Sequence, residues 1–122
     1  MHLPIRSYDE LSKMEKFALN TFIFRFSKLQ DLLGRRIFRA CLESFQIPTE
    51  DMSFSDILKT LEKEKILDID NWSLLRELRN EIAYEYPEEM DETIEKINLF
   101  ITRSEELLAI LERLENRCDA AE

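Results

Sequence analysis

"IEKINLFITRSEELLAILERL", residues 94–114, decides how the rest of the chain is read. Its apolar residues recur at alternating three- and four-residue steps, the repeat of one face of an α-helix. One stripe runs Met90, Ile94, Ile97, Ile101, Leu108 and Leu111, with Ser104 filling a slot. A second runs Phe100, Leu107 and Leu114 at period seven. Two stripes make a wider apolar face than a single seam needs. This helix, roughly Glu88 to Arg117, is therefore expected to touch two neighbours, or one neighbour and a second subunit.

The same period runs through the rest of the chain. Ser7-Tyr8-Asp9-Glu10 has the spacing of a capping box, which satisfies free amides of a first helical turn. Leu11, Met14, Ala18, Phe22, Leu29, Leu33, Ile37, Ala40 and Cys41 then keep helical spacing over more than thirty residues. The reading is a long first helix, either continuous or broken near Gly34, ending before Ile47-Pro48, because a residue preceding proline avoids the α region. "PTEDMS" is a loop. Ser53 or Ser55 caps a third helix with Phe54, Ile57, Leu58 and Leu61 inward, and "KEKILDID" ends it. Asp70 or Asn71 caps a fourth with Trp72, Leu75, Leu78 and Ile82 inward, closed by Pro87. No stretch alternates with period two. The expected fold class is all-α, an antiparallel four-helix bundle with long first and last helices, formed by residues 1–122 as one domain.

Composition agrees with that class. The chain has 122 residues, enough for one core but not two. A single Gly and three Pro argue against a turn-rich β fold. No apolar run approaches a membrane span, and "MHLPIRSYDELS" has no signal-peptide core, so a cytoplasmic protein is expected. Cys41 and Cys118 are then expected as reduced thiols. His2 is the sole histidine, which leaves no convincing zinc set and no Cys-His nucleophile. No metal or cofactor is expected.

The net charge of −9 disfavours non-specific binding to nucleic acid. Its distribution is uneven. Residues 23–39 carry five basic side chains and one acidic, a net of +4. From Glu85 onward twelve acidic residues face four basic ones, a net of −8. A local anion site on an acidic body is thus possible chemistry.

The polar end of the fourth helix is the chemical candidate. In "LRELRNEIAYEYPEE", residues 75–89, Arg76, Arg79 and Asn80 sit among inward-facing leucines, and two phenols follow. Cations near a helix C-terminus also suit the helix dipole, so this placement has a purely structural reading too. "RNEIAYEYP" resembles the signature of the HEPN superfamily, in particular the HepT-like toxins paired with minimal nucleotidyltransferases. That motif is Arg, four residues, His, any residue, Tyr, commonly with Asn after the Arg. Arg79 and Asn80 match, Tyr84 stands where the His belongs, and Tyr86 falls on the motif tyrosine. "FRFSKLQDLLG", Phe24 to Gly34, and "ILDIDNWSLLRELRN", Ile66 to Asn80, also resemble relatives of that group.

The resemblance implies a helical bundle that dimerises, with the motifs of two subunits lining one cleft. It implies metal-independent ribonuclease chemistry, with Arg79 holding the scissile phosphate, Asn80 orienting groups, and position 84 serving in proton transfer. Tyr86 would accept AMP from the nucleotidyltransferase. Arg25, Lys28, Arg36 and Arg76 are candidates for further RNA phosphate contacts. Helical geometry suits a cleft made by two chains: residues five apart are about 140° apart around the axis, so Arg79 and Tyr84 do not share a face. Arg79 and Tyr86, seven apart, nearly do, and a two-fold axis brings divergent groups together.

The departure at position 84 is chemical. An unperturbed phenol titrates near ~10 and an imidazole near ~6.5, so a tyrosine is a poor replacement base at neutral pH. Two expectations follow. One is a HepT-like ribonuclease scaffold impaired by Tyr84; the other is a non-catalytic substrate-binding or regulatory subunit of a nucleotidyltransferase. A plain helical dimer without a ligand is the bland third.

Overall fold

The computed structural model describes residues 3–83 and 90–121, and the side chains of residues 3–82 and 93–118. The described residues contain helices and no strand. Helix α1 spans Lys13–Leu32, a π-helical turn Leu33–Ile37 follows without a gap, and α2 spans Phe38–Ser44. Then come α3, Phe54–Lys63, α4, Ile69–Ala83, and α5, Met90–Ala121. The long first helix is therefore continuous through Gly34, which widens one turn rather than breaking it. Among the described residues no helix is long and apolar enough to cross a membrane.

Two candidate caps are corrected. Helix α1 starts at Ser12, not Ser7: Ser12 Oγ accepts from the Glu15 amide at 3.1 Å, and Glu15 Oε1 accepts from the Ser12 amide at 3.0 Å. That amide donation holds the Glu15 carboxyl below the usual carboxylate range. Ser7 and Ser12 are both followed by Glu three residues on, and the chain before Ser12 is occupied otherwise. Asn98 clamps the Ile5 backbone through both amide atoms, at 2.8 and 2.7 Å, and the Leu11 amide closes a turn on Tyr8. Helix α4 is capped two or three residues earlier than expected, at Asp68. Asp68 Oδ1 accepts from the Asp70 amide at 3.0 Å, and the Asp68 carbonyl accepts from Trp72. Ser53 caps α3 as read, reciprocally with Asp56.

Both α2 and α3 end in the same motif. The Ile47 amide donates to Leu42 and that of Gln46 to Glu43; likewise Ile66 donates to Leu61 and Lys65 to Glu62. This pattern needs one left-handed residue, and Gln46 (φ 68°) and Lys65 (φ 61°) supply it where glycine is the usual choice. A chain with one glycine stops two helices at the cost of two strained side chains.

The buried apolar residues form one contiguous cluster from Ile5 to Leu114. Trp72, Leu75, Leu78 and Ile82 of α4 and Ile57, Leu58 and Leu61 of α3 are all buried, as their spacing requires. Phe38 packs on Trp72 at 4.9 Å, and Phe22 meets Phe100 edge-on at 6.2 Å. In α5 the core seam takes residues from both stripes: Ile94, Ile97, Phe100, Ser104, Leu107, Ile110 and Leu114 are buried. Ile101 and Leu111 are half-buried, while Leu108 is 51% exposed, contrary to the expected stripe. The side chain of Met90 lies outside the described set.

In α1 the expected inward residues fare unevenly. Leu33 is fully buried and Phe22, Leu29 and Ile37 are half-buried, but Ala18 and Ala40 are exposed and Met14 is 76% exposed. Phe17 (68%), Phe24 (61%) and Leu32 (46%) are also open. Beside Leu33, the buried positions are Leu19, Gln30, Phe38 and Leu42, none of them in the expected row. At the far end, the thiols of Cys41 and Cys118 are free and meet at 3.4 Å.

Candidate functional site

Arg79 lies on α4, one residue past the buried Leu78, and is half-buried. Its guanidinium donates to Asp31 Oδ1 of α1 at 2.5 Å, with both side chains about a quarter exposed (26% and 29%). Helix packing makes this pair: α4 and α1 are neighbours, and Gln30, next to Asp31, donates its amide to the Trp72 carbonyl at 3.1 Å. The pair is worth roughly 1 kcal/mol at this exposure. Its larger consequence is positional, since only one of the five guanidinium donors is engaged among the described residues.

The other candidates separate into three groups. Asn80 is exposed beside Arg79. Arg25, Lys28 and Arg36 are exposed on the first helix, with Lys28 resting over the Phe24 ring at 5.4 Å. Arg76, one turn before Arg79, lines a cleft of about 420 Å³ together with Arg35 and Arg39. Tyr84, Tyr86 and Pro87 lie outside the described residues.

Sequence reasoning passed over four residues of this region. Asp31, Arg35 and Arg39 belong to the basic run at 23–39, but spacing alone did not say which of its charges meet α4. For Arg35 and Arg39 the π-helical turn enters, because its extra residue shifts the register after Leu33; Asp31 precedes that turn and meets Arg79 through the packing of α1 on α4. Gln30 is the fourth. A glutamine at an inward position of an apolar-periodic helix is a visible signal of a buried polar contact.

Gly34 sits in the same turn. A Cβ there would lie 3.4 Å from Phe54 and 3.5 Å from Trp72, so both rings close on its backbone. Arg39 is fixed from the other side, donating to the carbonyls of Thr49 (3.0 Å) and Met52 (3.3 Å). Those partners are neutral. Among the described residues no carboxylate lies within ion-pair distance of Arg35, Arg39 or Arg76, while Asp31 is taken by Arg79. The region therefore carries uncompensated positive charge on an acidic protein. Among the described residues no three His, Cys, Asp or Glu side chains form a metal set.

No family model matches the chain, and no curated protein or solved structure matches it.

Proposed function

We propose that the chain is a HepT-like HEPN component of a toxin–antitoxin pair. In this reading it is a cytoplasmic, metal-independent ribonuclease scaffold, impaired because Tyr84 replaces the motif histidine, and neutralised by or complexed with a minimal nucleotidyltransferase. Its four helices would take the antiparallel HEPN arrangement, as a homodimer with one shared cleft. The observation that carries the reading is the placement of Arg79. Asp31 fixes it, and among the described residues its other donors are left for a phosphate.

A second observation supports the dimer. Met14, Phe17, Thr21, Phe24, Lys28 and Asp31 follow one another at steps of three and four, the spacing of a helix seam. Three apolar side chains of that seam are open, and Asp31, the partner of Arg79, terminates it. A second copy on this face would cover the phenylalanines and bring its own Arg79 toward the first. Arg76 and the exposed Arg25, Lys28 and Arg36 would add phosphate contacts, Asn80 would orient groups in the cleft, and Tyr86 would accept AMP.

The alternative is a non-catalytic subunit that presents or regulates a nucleotidyltransferase substrate. Tyr84 itself favours it, because a phenol near its ordinary pKa is protonated at neutral pH. RNA incubated with wild type, Tyr84→His and Tyr84→His/Arg79→Ala separates the two. Cleavage gained by the first variant and lost in the second is expected for the ribonuclease scaffold. Silence of all three, in folded protein, refutes it and leaves the subunit reading. Intact mass after incubation with the partner enzyme and ATP should show one AMP, absent in Tyr86→Phe.

A further inference from the structure

The cleft between the π-helical turn, α3 and α4 has the chemistry of a ligand site in its own right. Arg35, Arg39 and Arg76 give it three guanidinium groups without a carboxylate partner among the described residues. One of them, Arg39, is preorganised by two backbone carbonyls, so ordering it for an anion costs little further entropy. The most buried side chain lining the cleft is Gln30, only 2% exposed. Its Nε2 is committed to the Trp72 carbonyl, and its Oε1 is buried with no partner.

An unsatisfied buried acceptor is costly, and most such atoms in folded proteins have a partner. Trp72 Nε1 is likewise buried and unpaired, two bonds from the Cζ2 atom that packs under Gly34. Gln30 thus brings an orphan acceptor to the lining of the cleft, and the orphan donor lies in the ring behind Gly34. Phe54, half-buried, adds an aromatic face. Guanidinium groups for a phosphate, a buried acceptor for a hydroxyl or amino group, and a ring for stacking are the three elements that recognise a nucleotide. The volume of about 420 Å³ lies within the range of small-molecule sites.

We infer that this cleft binds one nucleotide unit, its phosphate on Arg35, Arg39 and Arg76 and a donor group on Gln30 Oε1. The unit comes either as a free nucleoside monophosphate or as one residue of an RNA strand. The inference extends the reading of Arg79 to a neighbouring site but does not need it, because binding is measured here without cleavage and without position 84. Asp31 links the two: with Arg79 beside it, its charge does not oppose a phosphate in the cleft.

The test is calorimetric titration of the full chain with AMP, adenosine, inorganic phosphate and a short single-stranded oligoribonucleotide, at low salt. Arg35→Gln/Arg76→Gln is the informative variant, because both side chains are exposed and their loss leaves the core intact. Lys59→Gln, exposed on α3 and outside the cleft lining, is the control. AMP binding well above that of adenosine, weakened at least about tenfold in the double variant but not in the control, supports a free nucleotide. RNA binding alone, with the same variant dependence and a fall in affinity with salt, supports a strand. Gln30→Leu should weaken AMP but not inorganic phosphate. The inference is overturned if neither AMP nor RNA binds, or if the double variant, folded by circular dichroism, binds both as wild type does.

Discussion

Helix α3 turns every apolar residue it has toward the core, whereas α1 leaves Met14, Phe17 and Phe24 in the open. Both helices start with a reciprocal cap of the same kind. They differ in supply and demand. Four apolar residues of α3 fill one narrow face against α2 and α4. Residues 13–32 carry ten, and the core of one chain accepts only part of them. Scattered exposed hydrophobics are ordinary on proteins, but three at seam spacing on one helix are a surface of a particular shape. A local pattern therefore identifies a helix in both cases, yet it identifies the inward face only where apolar residues are scarce.

The sharpest way to break the comparison is truncation on each helix. Leu61→Ala in α3, at a fully buried position, should cost about 2–5 kcal/mol in urea unfolding. Phe24→Ala in α1 should cost under about 0.5 kcal/mol in the isolated chain. A large loss for Phe24 in a strictly monomeric sample would show that its ring belongs to the core of its own chain. Next come the caps. Ser53→Ala and Ser12→Ala should each lose about 1 kcal/mol. No loss at Ser12 would undo the correction to the start of α1.

Smaller and opposite in sign are the left-handed ends. Gln46→Gly and Lys65→Gly should each raise stability by up to about 1 kcal/mol, because glycine enters that conformation without steric cost. Differential scanning calorimetry resolves such a shift. Confined to alkaline pH is an effect at the Cys41–Cys118 contact. Burial, with Cys118 alongside, pushes the Cys41 thiol up to about 12 from an ordinary 9.0. The folded chain then keeps a proton that the unfolded chain releases. The resulting stability is intact below about pH 9 and is lost as pH rises toward 12. Urea midpoints of wild type should fall more steeply over that range than those of Cys41→Ala.

Much of the fold was legible because it rests on local chemistry. The Ser53 cap, the buried rows of α3 and α4, and the stop before Pro48 all follow from residues a few positions apart. What was not legible depended on contacts between distant segments. Ser12 prevails over Ser7 because Asn98, far along the chain, holds Ile5. Leu108 faces outward because the seam of α5 is set jointly by all its neighbours, and the widened turn at Gly34 moves Arg35 and Arg39 onto the α4 side. For the candidate site, the sequence singled out Arg79 and Arg76 but not their surroundings. Asp31 and Gln30 are forty-eight and forty-two residues from the groups they bind. No short motif encodes such a pairing.

The surplus face of α1 is where fold and proposed function meet, since the shared cleft requires a second copy there. Sedimentation velocity of wild type and Phe17→Glu/Phe24→Glu, over a wide concentration range, tests this most directly. The expected result is a wild-type species of twice the chain mass, and a folded monomer for the variant. A wild-type chain that stays monomeric at the highest concentration, or a variant dimer as tight as wild type, would contradict it.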